Sequence, residues 1–247
     1  MPRVPGASFV AGCVLALIAV GVGSAAAQGA ASAGPAPGAA PARIGVIGTG
    51  RIGGALAAYW VKAGHEVYVS SRHPEELQGL VGRLGPHAHA GSPKQAAAFG
   101  SIILVSVPYA AMPQLGEELR AELAGKVIID TSNPVERRDG AMALEAQSKG
   151  AGIATAQYLH NRHIVRAFNC IPAATLASAS ERQPERIAIP IGGDDAQALE
   201  IAAQLVREAG FDPVVVGSLA RTREFDLGQP LAQGNLTAAQ LRSRIGG

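Results

Sequence analysis

One stretch of this chain leaves little choice of fold: Arg43-Ile44-Gly45-Val46-Ile47 runs straight into Gly48-Thr49-Gly50-Arg51-Ile52-Gly53, and then into a helical pattern. The first five residues fit a buried strand, while Leu56, Tyr59 and Trp60 fall on one side of a helix expected over residues 52–62. A G-x-G-x-x-G string says little by itself in a chain with 31 glycines. Its setting says more, because a strand precedes it, a helix follows and a second strand comes next. Gly48 permits the tight turn, Gly50 lets the backbone come close to a pyrophosphate, and Gly53 lets the helix pack against the strand. The backbone N–H groups of Thr49, Gly50, Arg51 and Ile52 would then point at phosphates from the helix N-terminus. A glycine-rich turn without a ligand is the plain alternative.

Downstream, short apolar runs alternate with helical stretches. Candidate strands cover residues 43–47, 67–70, 88–90, 102–106, 127–130, 164–167, 187–191 and 213–216. A further helix is expected over 196–209, where Leu199, Ile201, Leu205 and Val206 recur at helical spacing. Pro108 and Pro134 stand just past strands, where a proline ends the ladder and opens a loop. Strands apolar along their whole length, such as Ile102-Ile103-Leu104-Val105, belong in a parallel sheet covered on both faces. Their alternation with helices makes βαβ units. The expected fold class is therefore α/β: a doubly wound, mainly parallel sheet of the Rossmann NAD(P)-binding type, in one domain over residues 43–235. Residues 236–247 read as a short polar tail.

The end of the second strand decides which dinucleotide such a domain takes. A ribose 2′-OH calls for Asp or Glu there. Here Val67-Tyr68-Val69 leads into Ser70-Ser71-Arg72-His73, and the first carboxylate is Glu75, inside the following helix. Arg72 can form charge-assisted bonds with a 2′-phosphate, and Ser71 can donate another. NADP(H) is the expected ligand, against the plain alternative of a solvated arginine. Ser106-Val107-Pro108 ends the fourth strand, Thr131-Ser132-Asn133-Pro134 the fifth and Phe168-Asn169-Cys170 the sixth. All three lie beside the crevice where open α/β sheets bind ligands, although an Asn after a strand serves equally well as a turn-former. His87, His89, His160 and His163 fall on one weak strand and one loop, a spacing that matches no compact metal site. Ser70 and Ser71 lack the strained elbow of a hydrolase nucleophile, and Cys170 reads as a small buried hydrophobe. No side chain is assigned as a catalytic acid or base.

Composition narrows the partners. Of 247 residues, 48% are hydrophobic and 16% charged, with a formal net charge of +2, which gives nucleic acid no electrostatic footprint; 4% aromatics offer no stacking surface. Ahead of the fold, Arg3 is followed by an apolar run over residues 9–23 and by Ser24-Ala25-Ala26-Ala27-Gln28. A positive start, a short apolar core and small residues at the end make a secretory signal, cleaved after Ala27. The run is short of the ~20 residues a membrane span needs. Export without a stable membrane span is expected; an uncleaved anchor, or a cytoplasmic protein with a mis-assigned start, are the alternatives. Residues 28–42, mostly Pro, Ala, Gly and Ser, form a linker. With Cys13 removed in the signal, Cys170 has no partner for an internal disulfide.

Several strings resemble a known family, the deazaflavin-dependent NADP oxidoreductases of the NADPH:coenzyme F-420 reductase type. They are residues 44–53, Ser70-Ser71-Arg72, Val165-Arg166-Ala167-Phe168-Asn169, Ile191-Gly192-Gly193-Asp194-Asp195 and Gly210-Phe211-Asp212-Pro213-Val214. The likeness runs over about residues 43–234, and the Val-Arg-Ala-Phe-Asn string is its more specific part. It implies a single Rossmann domain with a small C-terminal appendage, and direct hydride transfer between NADPH and a deazaflavin or flavin stacked on the nicotinamide. Carried onto this chain, it implies Gly48, Thr49, Gly50, Arg51, Ile52 and Gly53 at the pyrophosphate, with Ser71 and Arg72 at the 2′-phosphate. Ser106, Val107, Pro108, Asn133, Ala167, Phe168 and Asn169 would lie near the nicotinamide and its acceptor. The signal-like N-terminus departs from the pattern of a cytoplasmic enzyme, and the fold does not fix the acceptor. A 6-phosphogluconate or β-hydroxyacid dehydrogenase needs a long helical second domain, and pyrroline-carboxylate reductase a helical dimerisation domain. The α/β pattern runs on almost to the end and leaves room for neither. The partner implied is a small-molecule hydride acceptor, with a homodimer as an option; a non-catalytic NADP(H)-binding or sensor protein is the alternative class.

Overall fold

In the computed structural model, which describes residues 40–245, the alternating apolar runs pair into one eight-stranded sheet. The strands are β1 (Arg43–Ile47), β2 (Glu66–Ser70), β3 (Ala88–Gly91), β4 (Ile102–Val105), β5 (Val127–Asp130), β6 (Ile164–Arg166), β7 (Ala188–Gly193) and β8 (Asp212–Gly217), in the order β3-β2-β1-β4-β5-β6-β7-β8. Every pair is parallel except β6 with β7. The chain winds outward from β1 to β3, then returns to lay β4 on the other side of β1. That reversal opens a crevice at the carboxyl ends of β1 and β4. The expected signal segment at 1–27 and residues 28–39 of the expected linker lie outside the described residues.

The helices are α1 (Arg51–Lys62), α2 (Gln78–Leu84), α3 (Pro93–Phe99), α4 (Met112–Glu118), α5 (Arg120–Leu123), α6 (Glu136–Asp139), α7 (Ala141–Lys149), α8 (Ala151–Tyr158), α9 (Ala173–Ser178), α10 (Ala196–Glu208) and α11 (Ala238–Ile245). Side chains alternate across a strand, so Ile44 and Val46 join one core with Leu56 and Trp60 of α1 and Leu205 and Val206 of α10. Ile47 turns to the other core, with Ile103, Val105, Met112 and Leu159. Trp60 Nε1 donates to the Leu205 carbonyl at 3.0 Å, which ties α1 to α10. Buried His65 holds the entry to β1: its Nδ1 accepts the Ala42 N–H at 2.9 Å while its Nε2 meets Glu208 at 2.7 Å.

Two boundaries differ from the sequence expectation for physical reasons. Strand β7 runs on through Gly192 and Gly193, which pair antiparallel with Arg166 and Val165. Glycine reads as a strand end, yet a Cβ on Gly193 would stand 2.7 Å from the Ile164 carbonyl oxygen, so the close pairing depends on its absence. Residues 236–247 were expected as a polar tail, but they contain α11, and Leu236 and Leu241 are buried with Val214, Val216 and Phe225. The few apolar residues there are spaced to cover β8, and the many polar ones around them hide that spacing from a reading of composition.

Candidate functional site

The three glycines of the β1–α1 turn have different surroundings. Gly48 adopts a φ of +93°, and a Cβ there would stand 2.3 Å from the Ser106 carbonyl oxygen. A Cβ on Gly53 would stand 2.2 Å from the Gly48 oxygen, so α1 packs onto the turn only without one. At Gly50 nothing lies within 4 Å, and that flank is open. Gly50 is also the N-cap of α1, with no side-chain cap and no acidic residue in the first turn. The N–H groups that a helix start leaves unpaired are thus free for an anion. Thr49 Oγ1 donates to the Ser70 carbonyl (2.7 Å), and buried Ser70 donates to the Val46 carbonyl (2.8 Å), which locks the turn to the end of β2.

Past Ser70 the chain presents donors and no carboxylate. Ser71 is half-buried, and its Oγ accepts the His73 N–H at 3.0 Å. Arg72 is exposed. Glu75, the first carboxylate after β2, pairs with His73 at 3.4 Å instead. The edge of the crevice beside β2 therefore carries an uncompensated cation.

Across the crevice, the Val107 N–H donates to Ser132 Oγ (3.3 Å), and Pro108 is exposed. Asn133 Nδ2 donates to the Asn169 carbonyl (2.7 Å), so the ends of β5 and β6 are joined. Ala167 and Phe168 are buried, and the Phe168 ring packs edge-on to Phe211 with centroids 6.3 Å apart. The backbone of Phe168, held at a φ of +59°, is what this residue can offer the rim. Buried Asp139 ties the loop after β4 to that after β5, accepting the N–H groups of Ala110 (3.2 Å) and Val135 (2.8 Å) beside the Arg138 guanidinium (2.8 Å).

Behind the rim stands a charged cluster that sequence reading passes over. Asp130 and Arg166 lie opposite one another in the β5–β6 register, and both are fully buried. Arg166 donates to Asp130 Oδ2 (2.8 Å), the Ser132 carbonyl (2.8 Å), Asn133 Oδ1 (3.2 Å) and Asp226 Oδ1 (2.9 Å). Thr155 Oγ1 donates to Asp130 Oδ2 as well (2.8 Å), and the Ala151 N–H to Asp226 Oδ2 (3.1 Å). Burial works against the guanidinium charge, but Asp130 and Asp226 outweigh it and hold the Arg166 pKa above its ordinary value. Tyr109 donates to the Ala151 carbonyl (2.7 Å); burial first, then the charge of Asp130, push its phenol well above the usual range. These groups keep their protons near neutral pH, which suits them to orienting neighbours. The signal available in sequence was a charged residue inside each of two apolar strands, a placement that demands a partner.

The remaining candidates are paired or buried. His87 and His89 share Glu66 (2.6 and 3.1 Å), His160 meets Glu117 (2.8 Å) and His163 meets Asp195. Among the described residues no three His, Cys, Asp or Glu side chains form a metal-holding group. Burial pushes the Cys170 thiol up to about 12. A groove of about 750 Å³ between α8 and the start of α10 includes His160, Arg162, His163, Asp194 and Asp195, and none of the rim residues. No helix among the described residues is long and apolar enough to cross a membrane.

The reversal between β1 and β4, with its uncapped glycine turn, defines a dinucleotide-binding domain of the Rossmann type. Residues 43–134, which hold that turn, Ser71, Arg72, Ser106, Val107, Pro108 and Asn133, match the family model described as NADP oxidoreductase coenzyme F420-dependent. The chain is 28% identical over 217 residues to the F420-dependent NADP reductase of Methanothermobacter thermautotrophicus, covering 82% of this chain and 91% of that protein. It is 31% identical over 191 residues to metalloreductase STEAP3 of Rattus norvegicus, covering 74% of this chain; it spans about a third, 36%, of that protein's length. Among solved structures, a hypothetical protein from Sinorhizobium meliloti superposes with a TM-score of 0.70 at 25% identity, over 79% of this chain and 95% of that one. An imine reductase from Myxococcus stipitatus in complex with NADP+ superposes with a TM-score of 0.53 at 21% identity, over 82% and 59%, a likeness of fold.

Proposed function

We propose that this chain is an NADP(H)-dependent oxidoreductase that passes a hydride between NADPH and a flavin- or deazaflavin-type acceptor at the carboxyl rim of its sheet. The observation that carries the reading is the paired chemistry at the ends of β1 and β2. An uncapped helix start with an open flank at Gly50 stands beside an exposed Arg72 with no carboxylate at the strand end. The first suits a pyrophosphate, and the second suits a 2′-phosphate, with Ser71 as a further donor. A donor set of N–H groups and a cation fits this cofactor, whereas a carboxylate at the end of β2 would have favoured NAD(H). When bound between the Gly48–Gly53 turn and Arg72, the dinucleotide would supply a hydride for the acceptor, with the matching proton from solvent. The chain itself supplies position: Ser106, Val107, Pro108, Asn133 and the 167–169 turn surround the place where the two rings would meet. Tyr109 and Cys170, held protonated, and Arg166, held charged, are not asked to move a proton. The likeness to a reductase named for F420 supports a deazaflavin as the acceptor.

The test is calorimetric titration with NADPH and NADH, followed by NADPH absorbance on adding FMN, FAD or coenzyme F-420. NADPH is expected to bind and to be consumed with one of these acceptors. Binding without consumption by any acceptor would leave a binding protein; no NADPH binding would overturn the reading.

A further inference from the structure

One helix of the fold packs no core. Helix α6 is a single turn, Glu136-Arg137-Arg138-Asp139, and its one buried residue is a carboxylate, Asp139. A buried carboxylate is costly unless it is paired and hydrogen-bonded. Here each oxygen takes a backbone N–H from a different loop: Oδ1 that of Ala110 (3.2 Å), after β4, and Oδ2 that of Val135 (2.8 Å), after β5. Half-exposed Arg138 completes the pairing, with Nε on Oδ1 (2.9 Å) and Nη2 on Oδ2 (2.8 Å), and the same Nη2 holds the Asn133 carbonyl (2.6 Å). Burial works against the carboxylate charge, but Arg138 and the two N–H groups outweigh it and hold Asp139 below its ordinary pKa. The loop after β4 is thereby fixed on both sides of Pro108: at Val107 by Ser132 Oγ (3.3 Å), at Tyr109 by the Ala151 carbonyl (2.7 Å) and at Ala110 by Asp139. Pro108 itself is exposed and has an apolar face with no N–H.

We infer that Asp139 is a positioning residue for the hydride acceptor: it sets the spacing between the Pro108 loop and the Asn133 loop, and with it the slot that a flat acceptor ring enters beside the dinucleotide. This rests on the oxidoreductase reading above and adds a division of labour to it. The Gly48–Gly53 turn, Ser71 and Arg72 follow β1 and β2, and Asp139 bonds to none of them. The loops it joins follow β4 and β5. A rigid ring tolerates little change in such a slot, since a misplacement of about 1 Å can cost on the order of 100-fold in rate. Arg138 has the complementary part, because it balances the carboxylate and draws the Asn133 carbonyl to the same point.

The test separates acceptor from dinucleotide in three variants. Asp139→Asn keeps the size of the side chain but turns an NH2 group toward one of the two N–H donors. Asp139→Glu restores the charge and both acceptor oxygens, and Arg138→Lys changes only the half-exposed partner. NADP+ affinity is measured by calorimetry, and melting temperatures report the fold. Binding of FMN, FAD and coenzyme F-420 to the NADP+-loaded protein is read from quenching of their own fluorescence, and kcat and KM are taken with the acceptor that the wild type reduces. Asp139→Asn is expected to leave NADP+ affinity unchanged while acceptor binding weakens and kcat falls, roughly 10- to 100-fold. Arg138→Lys should show the same split at roughly 3- to 10-fold, the value of one net hydrogen bond, and Asp139→Glu should recover part of the loss. Acceptor binding and kcat at the wild-type level in Asp139→Asn, or equal weakening of NADP+ and acceptor, would make Asp139 a brace of the fold and overturn the inference while the oxidoreductase reading stands. Should Asp139→Asn not fold, Arg138→Lys decides by the same two criteria. A wild type that binds NADPH but reduces none of the three acceptors would bring down the reading itself, and the inference with it.

Discussion

Losing a charged hydrogen-bond partner costs about 1.5–3 kcal/mol, so Arg72→Ala is expected to weaken NADPH roughly 10- to 150-fold and leave NADH almost unchanged. Titration of both cofactors checks this, and equal losses would return Arg72 to the solvent. Two neighbouring glycines make a sharper contrast. Gly53→Ala drives a Cβ to 2.2 Å from the Gly48 oxygen and should lower the melting temperature by several degrees. Gly50→Ala meets nothing within 4 Å and sits at an ordinary φ of −78°, so the fold should hold while NADPH affinity falls. The same melting temperature for both variants would mean that Gly50 and Gly53 do not divide the work in this way. Cys170, with its thiol pushed up to about 12, should resist alkylation at pH 8 until the protein unfolds. Its linkage has a definite sign: an acid whose folded pKa is raised leaves stability intact below the unfolded value of about 8.5 and erodes it as pH climbs toward the folded one.

Between elements, Arg166 ties β5 and β6 to the 3-10 segment that contains Phe225, through carboxylates on both sides. Replacing it with methionine leaves Asp130 buried without a counter-charge, and urea unfolding should show a loss of about 3–5 kcal/mol. A loss under 1 kcal/mol would mean that water or movement relieves the site. This cluster also marks the limit of what the sequence disclosed. The glycine turn was legible because its parts are six consecutive residues whose order mirrors their use. The donors at Ser71 and Arg72 were legible because a strand end can be located from apolar periodicity. Arg166 is 36 residues from Asp130 and 60 from Asp226, and His65 is 143 from Glu208. No local pattern joins such partners; only the sheet order does. Gly192 and Gly193 hid a strand continuation for a related reason, since their value lies in the partner strand they admit.

At the scale of the whole molecule, we propose that the segment before residue 28 sets a location that the fold does not. Its positive start, apolar core and small-residue ending lead to an expected mature N-terminus near Gln28, checked by N-terminal sequencing of the native protein after fractionation. An intact Met1 in the cytoplasmic fraction would remove the expectation of export. The long reach of the contacts behind the rim has a consequence in time. During synthesis the glycine turn and Arg72 emerge early, but Arg166 waits 60 residues for Asp226, and Asn169 waits 56 for the Phe225 carbonyl. A nascent chain that has reached Gly217 already holds the residues of all eight strands, yet the Phe225 carbonyl and Asp226 are still unmade. Completion of the rim is thus deferred until residues 225 and 226 are made, so that a chain released at Gly217 would hold the residues of every strand with an unfinished rim.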